Sequence, residues 1–580
     1  MAEEKKPEIA APKPPPPPGP PPPKNPGFVT ATIDGREVMV KPGTTVIEAA
    51  QRLGIEIPYY CWHKRLSIAA NCRMCLVEMS NAPGGKLMPS CQVPLAEGVA
   101  VKTDTPRVKD QQRATLEFLL LNHPVDCSIC DQAGECKLQD YYVQYDMKPS
   151  RLDIPKNVKG KRVELGSTIT LDQERCILCT RCVRFMREVA KNPQLGVAMR
   201  GTRSVITTFP GKPLDDRYAG NVVDICPVGA LTATDFRFRG RVWFMSSARS
   251  ICTGCSRGCN VNLDYLGDTA YRVRPRENEA VNQEWMCDQG RLTYKAFNAG
   301  RVLQARVGAA AATREAALAA AGQALAAARG GVAVLLSPAA SLEELLAACH
   351  VAKEGLGVAE VFAGGKPEGW HDDFLKRADE NPNRKGLELA AQAYGLPVRP
   401  LADLAAAARA GQVKALWAVG AELPDGAAAE ALAAVPVRVV QAVDEAPLTG
   451  AATVLLPASP AAEQDGTFVN FEGRAQRFEA AWFPRGDARS HLELAAAIGR
   501  TLGLDTPWKT ARQAWLALSP RIAGVALWDF KWDSLPSVGR RKGLPTPPAG
   551  TVDGRLPGSR ERLAPDTDEG ATRGLVPQSW

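Results

Sequence analysis

No stretch of this 580-residue chain approaches the ~20 consecutive apolar residues of a membrane-spanning helix. The longest apolar runs, such as Phe118–Leu121 and Val332–Leu336, are only as long as core elements. No secretory signal precedes the first domain, which argues for a reducing, cytosolic setting. No G-x-G-x-x-G follows an expected strand and no P-loop is present, so the chain carries no nucleotide fingerprint. Charge of one sign is scarce: 71 Lys+Arg against 63 Asp+Glu leave a mild +8. Without a clustered basic face this gives no warrant for nucleic-acid binding. Ordinary fractions of hydrophobic (45%) and charged (23%) residues exclude global disorder, collagen and a coiled coil.

Cysteine is nearly missing from the second half, where only Cys349 follows Cys287. The other fifteen of the sixteen lie between Cys61 and Cys287. An even total suggests a disulfide framework. Five CxxC pairs in a large chain without a secretory signal favour metal or cluster ligation instead.

Twelve of the 46 prolines fall in residues 1–27, an expected polyproline or disordered arm. This arm has acidic residues and no Arg, unlike a mitochondrial transit peptide. Phe28–Ile33 and Glu37–Val40 then alternate around Asp34-Gly35, a hairpin signature. Thr45 and Glu48 form a capping box opening a short helix that stops at Gly54. Helices are expected over Gln111–Leu121 and Cys136–Tyr142, and short strands and loops follow to about 300. Beyond 301 the chain reads as α/β, with buried strands at Val332–Leu336, Val413–Val419 and Val437–Val443, and a helix capped by Ser341/Glu344. Residues 536–580 lack periodicity and read as an irregular tail.

Four ligand sets account for the cysteines. Cys61, Cys72, Cys75 and Cys91 (C-x10-C-x2-C-x15-C) suit a flat [2Fe–2S] cluster better than the matched CxxC halves of structural zinc. Lys64, Arg65 and Arg73 lie near enough to offset an anionic cluster, or simply to be solvated. His123, Cys127, Cys130 and Cys136 (H-x3-C-x2-C-x5-C) fit a [4Fe–4S] cluster or zinc equally well alone; beside the other sets, iron–sulfur is favoured. A neutral imidazole in place of a thiolate should shift such a cluster's potential. Cys176, Cys179 and Cys182 supply three corners of a cubane, with the remote Cys226 before Pro227 inferred as the fourth. Cys252, Cys255, Cys259 and Cys287 form a self-sufficient fourth set. Cys349 is left over as a buried apolar side chain. His63, His350, His371 and His491 lack ligand partners in sequence and are read as structural.

In this order the motifs resemble the large iron–sulfur (G) subunit of bacterial NADH-quinone oxidoreductases, the respiratory complex I family. The similarity is dense from residue 28 to about 300 and fainter to about 535. The stretch Thr453–Pro457, Glu463 and Gly466–Arg474 is similar to a signature of molybdopterin oxidoreductases. Two departures tell against a working pterin site: Gln289 stands where those enzymes usually carry Lys, and only 293 residues follow Cys287.

The resemblance implies a multidomain α+β and α/β chain. Its expected parts are a Pro-rich disordered arm (1–27), a β-grasp two-iron ferredoxin domain (28–105) and a helical His/Cys cluster domain (106–145). A four-iron ferredoxin-like domain (146–244) and a molybdopterin-oxidoreductase-type four-iron domain (245–300) follow. A truncated, degenerate molybdopterin-oxidoreductase-like α/β domain (301–535) and the tail (536–580) complete it. It implies one [2Fe–2S] and three [4Fe–4S] clusters, no molybdopterin, and no NADH or quinone site of its own. Electrons from an NADH/FMN-binding subunit would enter at the two-iron cluster, cross the third-set cubane and the His-ligated one, and leave toward quinone-side iron–sulfur subunits. The fourth-set cluster lies off that path in the family. The implied location is peripheral, on the cytoplasmic side of the bacterial inner membrane, without direct membrane insertion. An alternative is the iron–sulfur subunit of an NAD-linked hydrogenase or formate dehydrogenase, for which the chain lacks an active-cluster cysteine set and a complete pterin domain.

Overall fold

The computed structural model describes residues 27–146, 149–423 and 426–522; the expected arm before residue 27 and tail from 536 lie outside the described residues. No helix among the described residues is long and apolar enough to cross a membrane.

The expected hairpin forms. Val29–Ile33 pairs antiparallel with Arg36–Val40, and Asp34 and Gly35 both take positive φ (48° and 79°), the backbone that matches a two-residue turn to strand twist. These strands join Ala100–Lys102, Leu76–Met79 and Met88–Pro89 in a five-stranded sheet. The helix Val46–Arg52 packs on it through Val46, Ile47, Ala49 and Ala50. Glu48 closes the helix start by accepting from the Thr45 backbone N–H (3.0 Å) and hydroxyl (2.9 Å).

The next helix spans Pro106–Leu120 and starts earlier than the hydrophobic pattern indicates. Thr105 caps it, accepting from Val108 N–H at 3.2 Å, and Pro106 occupies the first turn, where its missing N–H is harmless. Lys137–Tyr141 is helical as expected and runs into a wider π-type turn over Tyr142–Asp146.

Three small sheets follow. Leu231–Ala233, Ile169–Leu171 and Val163–Glu164 form one, Leu195–Ala198 and Val205–Thr208 another, and Ser246–Ile251, Asn260–Leu266 and Thr269–Pro275 the third.

The second half is built on an eight-stranded sheet. Its order is Ala310–Ala311, Arg306–Val307, Val454–Pro457, Val437–Ala442, Ala415–Val419, Val332–Leu336, Val361–Ala363 and Val398–Pro400. The last six run parallel; only the short edge at 306–311 is antiparallel. Alternate residues feed two cores, as a parallel sheet covered on both faces requires. Val334, Leu336 and Trp417 face the helices Leu342–His350, Arg384–Ala393 and His491–Thr501. Leu335, Leu416 and Ala418 face Leu401–Arg409 and Gly426–Ala433. Ser341 and Glu344 cap their helix reciprocally, at 3.3 and 2.7 Å.

This half folds back onto the hairpin at 246–266. Phe471 and Ser256 N–H groups bond across the seam to Ser256 and Asp379 carbonyls (3.0 and 2.8 Å). Gln476 meets Asn260 at 2.7 Å and Gly258 at 2.9 Å.

Candidate metal centres

The cysteine loops share one backbone device. Arg73 (φ 57°) lies between Cys72 and Cys75, and Leu178 and Thr180 (φ 55° and 61°) lie among Cys176, Cys179 and Cys182. Gly258 (φ 66°) precedes Cys259. A left-handed residue curls successive N–H groups to one side, making a concavity that favours negative charge. For non-glycine residues this conformation is unfavourable by about 1–2 kcal/mol each, so the surrounding structure must hold it.

In the first set Cys61, Cys75 and Cys91 are buried and Cys72 is half-buried. All four sulfurs converge. Hydrogen bonds from Cys72 and Cys91 hold the Cys61 thiol far below its usual range, and the same bonds push those two donors up. Cys75 is in turn bonded to Cys91.

In the second set Cys127, Cys130 and Cys136 act on one another, and burial pushes the Cys136 thiol up to about 12. Burial lowers His123 to about 4, so its imidazole is neutral and able to ligate. The charges acting on His123 are those of Asp126, Arg175, Lys156 and Lys161. Asp126 takes a two-pronged bond from Arg175 (3.0 and 2.7 Å). Gly229 leaves room at Cys130: a Cβ there would stand 2.3 Å from its sulfur.

The third set follows from strand register. Leu171 pairs with Leu231 in an antiparallel ladder. Cys176 follows Leu171 by as many residues as Cys226 precedes Leu231, so the remote cysteine arrives beside the C-x2-C-x2-C loop. Cys176, Cys179, Cys182 and Cys226 line one cavity, whose other walls include Leu171, Ile177, Ile206, Val228, Ala230 and Leu231. Backbone N–H groups of Val228, Ala230 and Leu231 point at the Cys226 sulfur. Burial pushes Cys176 and Cys179 up to about 12 and 11, so an empty site holds protonated thiols and metal binding must release protons.

The fourth set closes the hairpin whose last pair is Ile251 and Asn260. Cys252 N–H bonds to Cys259 C=O at 2.8 Å. All four sulfurs are buried and influence one another. Gly254 and Gly290 donate N–H to Cys252 and Cys287 sulfurs at 3.4 and 3.3 Å. A Cβ on Gly290 would stand 2.9 Å from the Cys252 sulfur. Gln289 accepts from Trp370 Nε1 (2.8 Å) and donates to Glu380 (2.7 Å). Among the nearby cations Lys376, from the second half, is buried with Nζ on Gly254 C=O (3.2 Å) and Glu380 (3.1 Å).

The sulfur-lined cavity of the third set with its inward N–H groups, and the glycines that keep side chains off the Cys130 and Cys252 sulfurs, fit iron–sulfur clusters. Among the described residues no three His, Cys, Asp or Glu side chains are arranged to hold a single metal ion; a cluster of several irons asks for a wider cradle.

Of the three charges that could either offset the first cluster or be solvated, Arg73 is exposed, and Lys64 and Arg65 are committed elsewhere. Lys64 pairs with Glu277 and Glu284, and Arg65 with Glu279. They fasten the first domain to the segment before Cys287, where His63 stacks on Trp285 with centroids 5.4 Å apart. The buried cations beside the sulfurs are Arg175, Arg181, Arg184 and Lys376. Arg181 and Arg184 flank Cys182, and that spacing was the available sequence signal. Cys349 is fully buried, its thiol pushed up to about 12. His491 meets Gln441 at 2.9 Å, and His350 packs edge-on against Tyr394 and Trp508.

Family profiles match along most of the described chain. They are a 2Fe-2S iron-sulfur cluster binding domain (residues 28–106), the NADH-ubiquinone oxidoreductase-G iron-sulfur binding region (112–151) and the ferredoxin-like domain of NADH-quinone oxidoreductase subunit 3 (166–232). A molybdopterin oxidoreductase Fe4S4 domain (245–299) and a molybdopterin oxidoreductase domain (297–501) follow. The chain thus combines matches to two-iron and four-iron iron–sulfur domains with a match to a molybdopterin oxidoreductase domain.

More particularly, its first half resembles the large iron–sulfur subunit of NADH-quinone oxidoreductases. It is 42% identical over 278 residues to the G subunit of the NADH-quinone oxidoreductase of Rickettsia bellii, covering 48% of this chain and 40% of the relative. To the NADH-ubiquinone oxidoreductase 75 kDa subunit of Reclinomonas americana it is 43% identical over 276 residues, covering 47% and 39%. The match spans about two fifths of the length of these relatives. A crystal structure of an NAD+-reducing [NiFe]-hydrogenase in the H2-reduced state is 30% identical, with TM-score 0.34 over 37% of this chain and 91% of that one.

Proposed function

We propose that this protein is the iron–sulfur electron-transfer subunit of an NADH-quinone oxidoreductase, relaying electrons from an NADH/FMN-binding subunit toward quinone. The observation that carries it is the gathering of Cys226 into one apolar cavity with Cys176, Cys179 and Cys182. Cys61, Cys72, Cys75 and Cys91 would hold a [2Fe–2S] cluster. Three [4Fe–4S] clusters would be held by His123, Cys127, Cys130 and Cys136; by Cys176, Cys179, Cys182 and Cys226; and by Cys252, Cys255, Cys259 and Cys287.

When bound, these clusters supply one-electron oxidation and reduction. The chain's own task is to present deprotonated sulfurs, shield them with apolar walls and aim backbone N–H groups at them. On this reading the chain is a relay with no NADH or quinone site of its own. The boundaries at 27, 105, 145, 244, 300 and 535, the β-grasp character of the first domain and the truncated pterin-type scaffold of the last belong to this reading. In place of the usual lysine, Gln289 is bonded to Trp370 and Glu380, which supports a scaffold without molybdopterin. The partners are the NADH/FMN-binding and quinone-side iron–sulfur subunits, on the cytoplasmic face of the inner membrane.

Iron and acid-labile sulfide analysis tests the reading, with about fourteen irons per chain expected for one two-iron and three four-iron clusters. A colourless protein carrying about four zinc atoms would overturn it. In the NADH-reduced assembly, His123→Ala should perturb one four-iron EPR signal selectively; if every signal were intact, His123 would not be a ligand.

A further inference from the structure

The helix Arg181–Glu188 leaves the third cysteine loop and lies against the first one. Two arginines on one face of it, three residues apart, reach both loops. Arg184 Nη2 donates to the carbonyl of Cys61 at 2.5 Å and to that of Cys179 at 3.2 Å. Arg181 donates to the carbonyl of Trp62, next to Cys61, at 2.6 Å and to that of Ile225, next to Cys226, at 3.1 Å. Each guanidinium therefore ties the backbone at the first ligand set to the backbone at the third. Both side chains are 5% exposed.

Neither arginine belongs to an ion pair among the described residues. Their hydrogen bonds run to carbonyl oxygens and, for Arg184, to the Thr180 hydroxyl. Arg181 Nε is buried with no hydrogen-bond partner. A buried cation lacking a carboxylate is strongly unfavourable unless another negative charge lies close by. Each side of this pair carries four cysteine sulfurs, and a cluster held by four thiolates is an anion. The carboxylate nearest the pair in sequence, Glu188, is taken up by Ser67 N–H and hydroxyl (2.8 and 2.6 Å) and by Arg187.

We infer that Arg181 and Arg184 are the shared counter-charge of the two-iron centre and the Cys176/Cys179/Cys182/Cys226 centre, holding the two together and setting both reduction potentials upward. This rests on the cluster assignment proposed above. Reduction adds negative charge to a cluster, so a fixed positive charge beside it favours the reduced form. One bridge serving two centres moves their potentials in the same direction. They are positioning residues, acting through ligand backbones and through charge.

The test compares Arg184→Met, Arg184→Lys and Arg187→Gln in the full chain, counting iron and sulfide before EPR-monitored redox titration. Arg184→Met should lower both potentials, each shifting its reduced-to-oxidised ratio at least tenfold, about 59 mV for a one-electron centre. Arg184→Lys, which keeps the charge, should restore both to within threefold. Arg187→Gln, at an exposed site, should leave both unchanged. Iron-replete Arg184→Met with either potential unmoved overturns the inference, as does Arg184→Lys that fails to rescue. Should Arg184→Met lose iron, Arg181→Gln decides: both potentials falling supports the bridge, and either one unmoved overturns it. An unaltered chain without iron and sulfide would instead overturn the cluster assignment, and this inference with it.

Discussion

The two halves of this molecule solve opposite problems. Among the described residues, the ten non-glycine residues with positive φ, from Asp34 to Gln283, all belong to the cysteine-bearing half, and none lies beyond 300. The first half also buries arginines against carbonyl oxygens and divides its strands among several small sheets. The second half runs one eight-stranded sheet through a continuous Ala, Leu and Val core. Small sheets bury too little apolar surface to fix strained, sulfur-lined loops unaided. Metal ligation at the proposed sites would offer the missing stabilisation, because a site absent from the unfolded chain turns binding energy into folding energy. The second half rests on a continuous apolar core with buried polar pairs such as Arg301–Glu463 inside it, and its lone cysteine is packing material.

The strongest way to break this contrast is to strip the iron with a chelator under reducing conditions. Amides around Cys61–Cys91 and Cys176–Cys182 should lose essentially all protection from hydrogen exchange, while strands Val332–Leu336 and Ala415–Val419 keep theirs. Equal loss in both halves would show that the contrast is mistaken.

Next in size is Trp417→Ala, which empties a fully buried site on the central strand. It should destabilise the second half by about 3–5 kcal/mol, measured by denaturant titration, with iron content unchanged.

A third change sharpens the contrast through pH. Burial lifts the Glu343 carboxyl from 4.5 to about 7, although Thr467 N–H and hydroxyl bond to it at 2.9 and 2.7 Å. The folded form holds its proton more tightly than the unfolded form does. Its contribution is therefore fully present below pH 4.5 and is lost as pH rises through about 7. The swing is on the order of 3 kcal/mol. Glu343→Gln should flatten it in hydrogen exchange of the second half; an unchanged slope would assign the dependence to another group.

The smallest expected effect is that of Cys349→Ala, about 1 kcal/mol for a fully buried thiol, with every iron retained. Loss of iron in that variant would make Cys349 a ligand.

Much of the fold was legible because it rests on local rules. The Asp34-Gly35 hairpin, the capping boxes at Thr45 and Ser341 and the buried run at Val332–Leu336 each follow from a few adjacent residues. The start of the helix Pro106–Leu120 was not read from its apolar pattern, since Arg107, Lys109 and Asp110 make the first turn polar; its signal was the Thr105-Pro106 cap. The cysteine spacing announced that Cys176, Cys179, Cys182 and the remote Cys226 come together around one cavity. It could not announce that Lys64 and Arg65 turn away to glutamates 277, 279 and 284, or that Arg181 and Arg184 take their place. Those choices depend on which loop a helix faces, a tertiary fact with no local pattern.

The cavity shared by Cys176, Cys179, Cys182 and Cys226 has one more consequence. Of its lining side chains, Leu171, Ile177, Ile206, Val228, Ala230 and Leu231 have no dipole to swing; Thr180 and Arg181 also line it, with the Arg181 guanidinium tied to the Trp62 and Ile225 carbonyls, and the N–H groups facing Cys226 belong to fixed backbone. Surroundings that cannot turn need not re-form when the charge inside changes. A centre seated there would exchange an electron with little reorganisation of these apolar walls, which would keep the transfer fast.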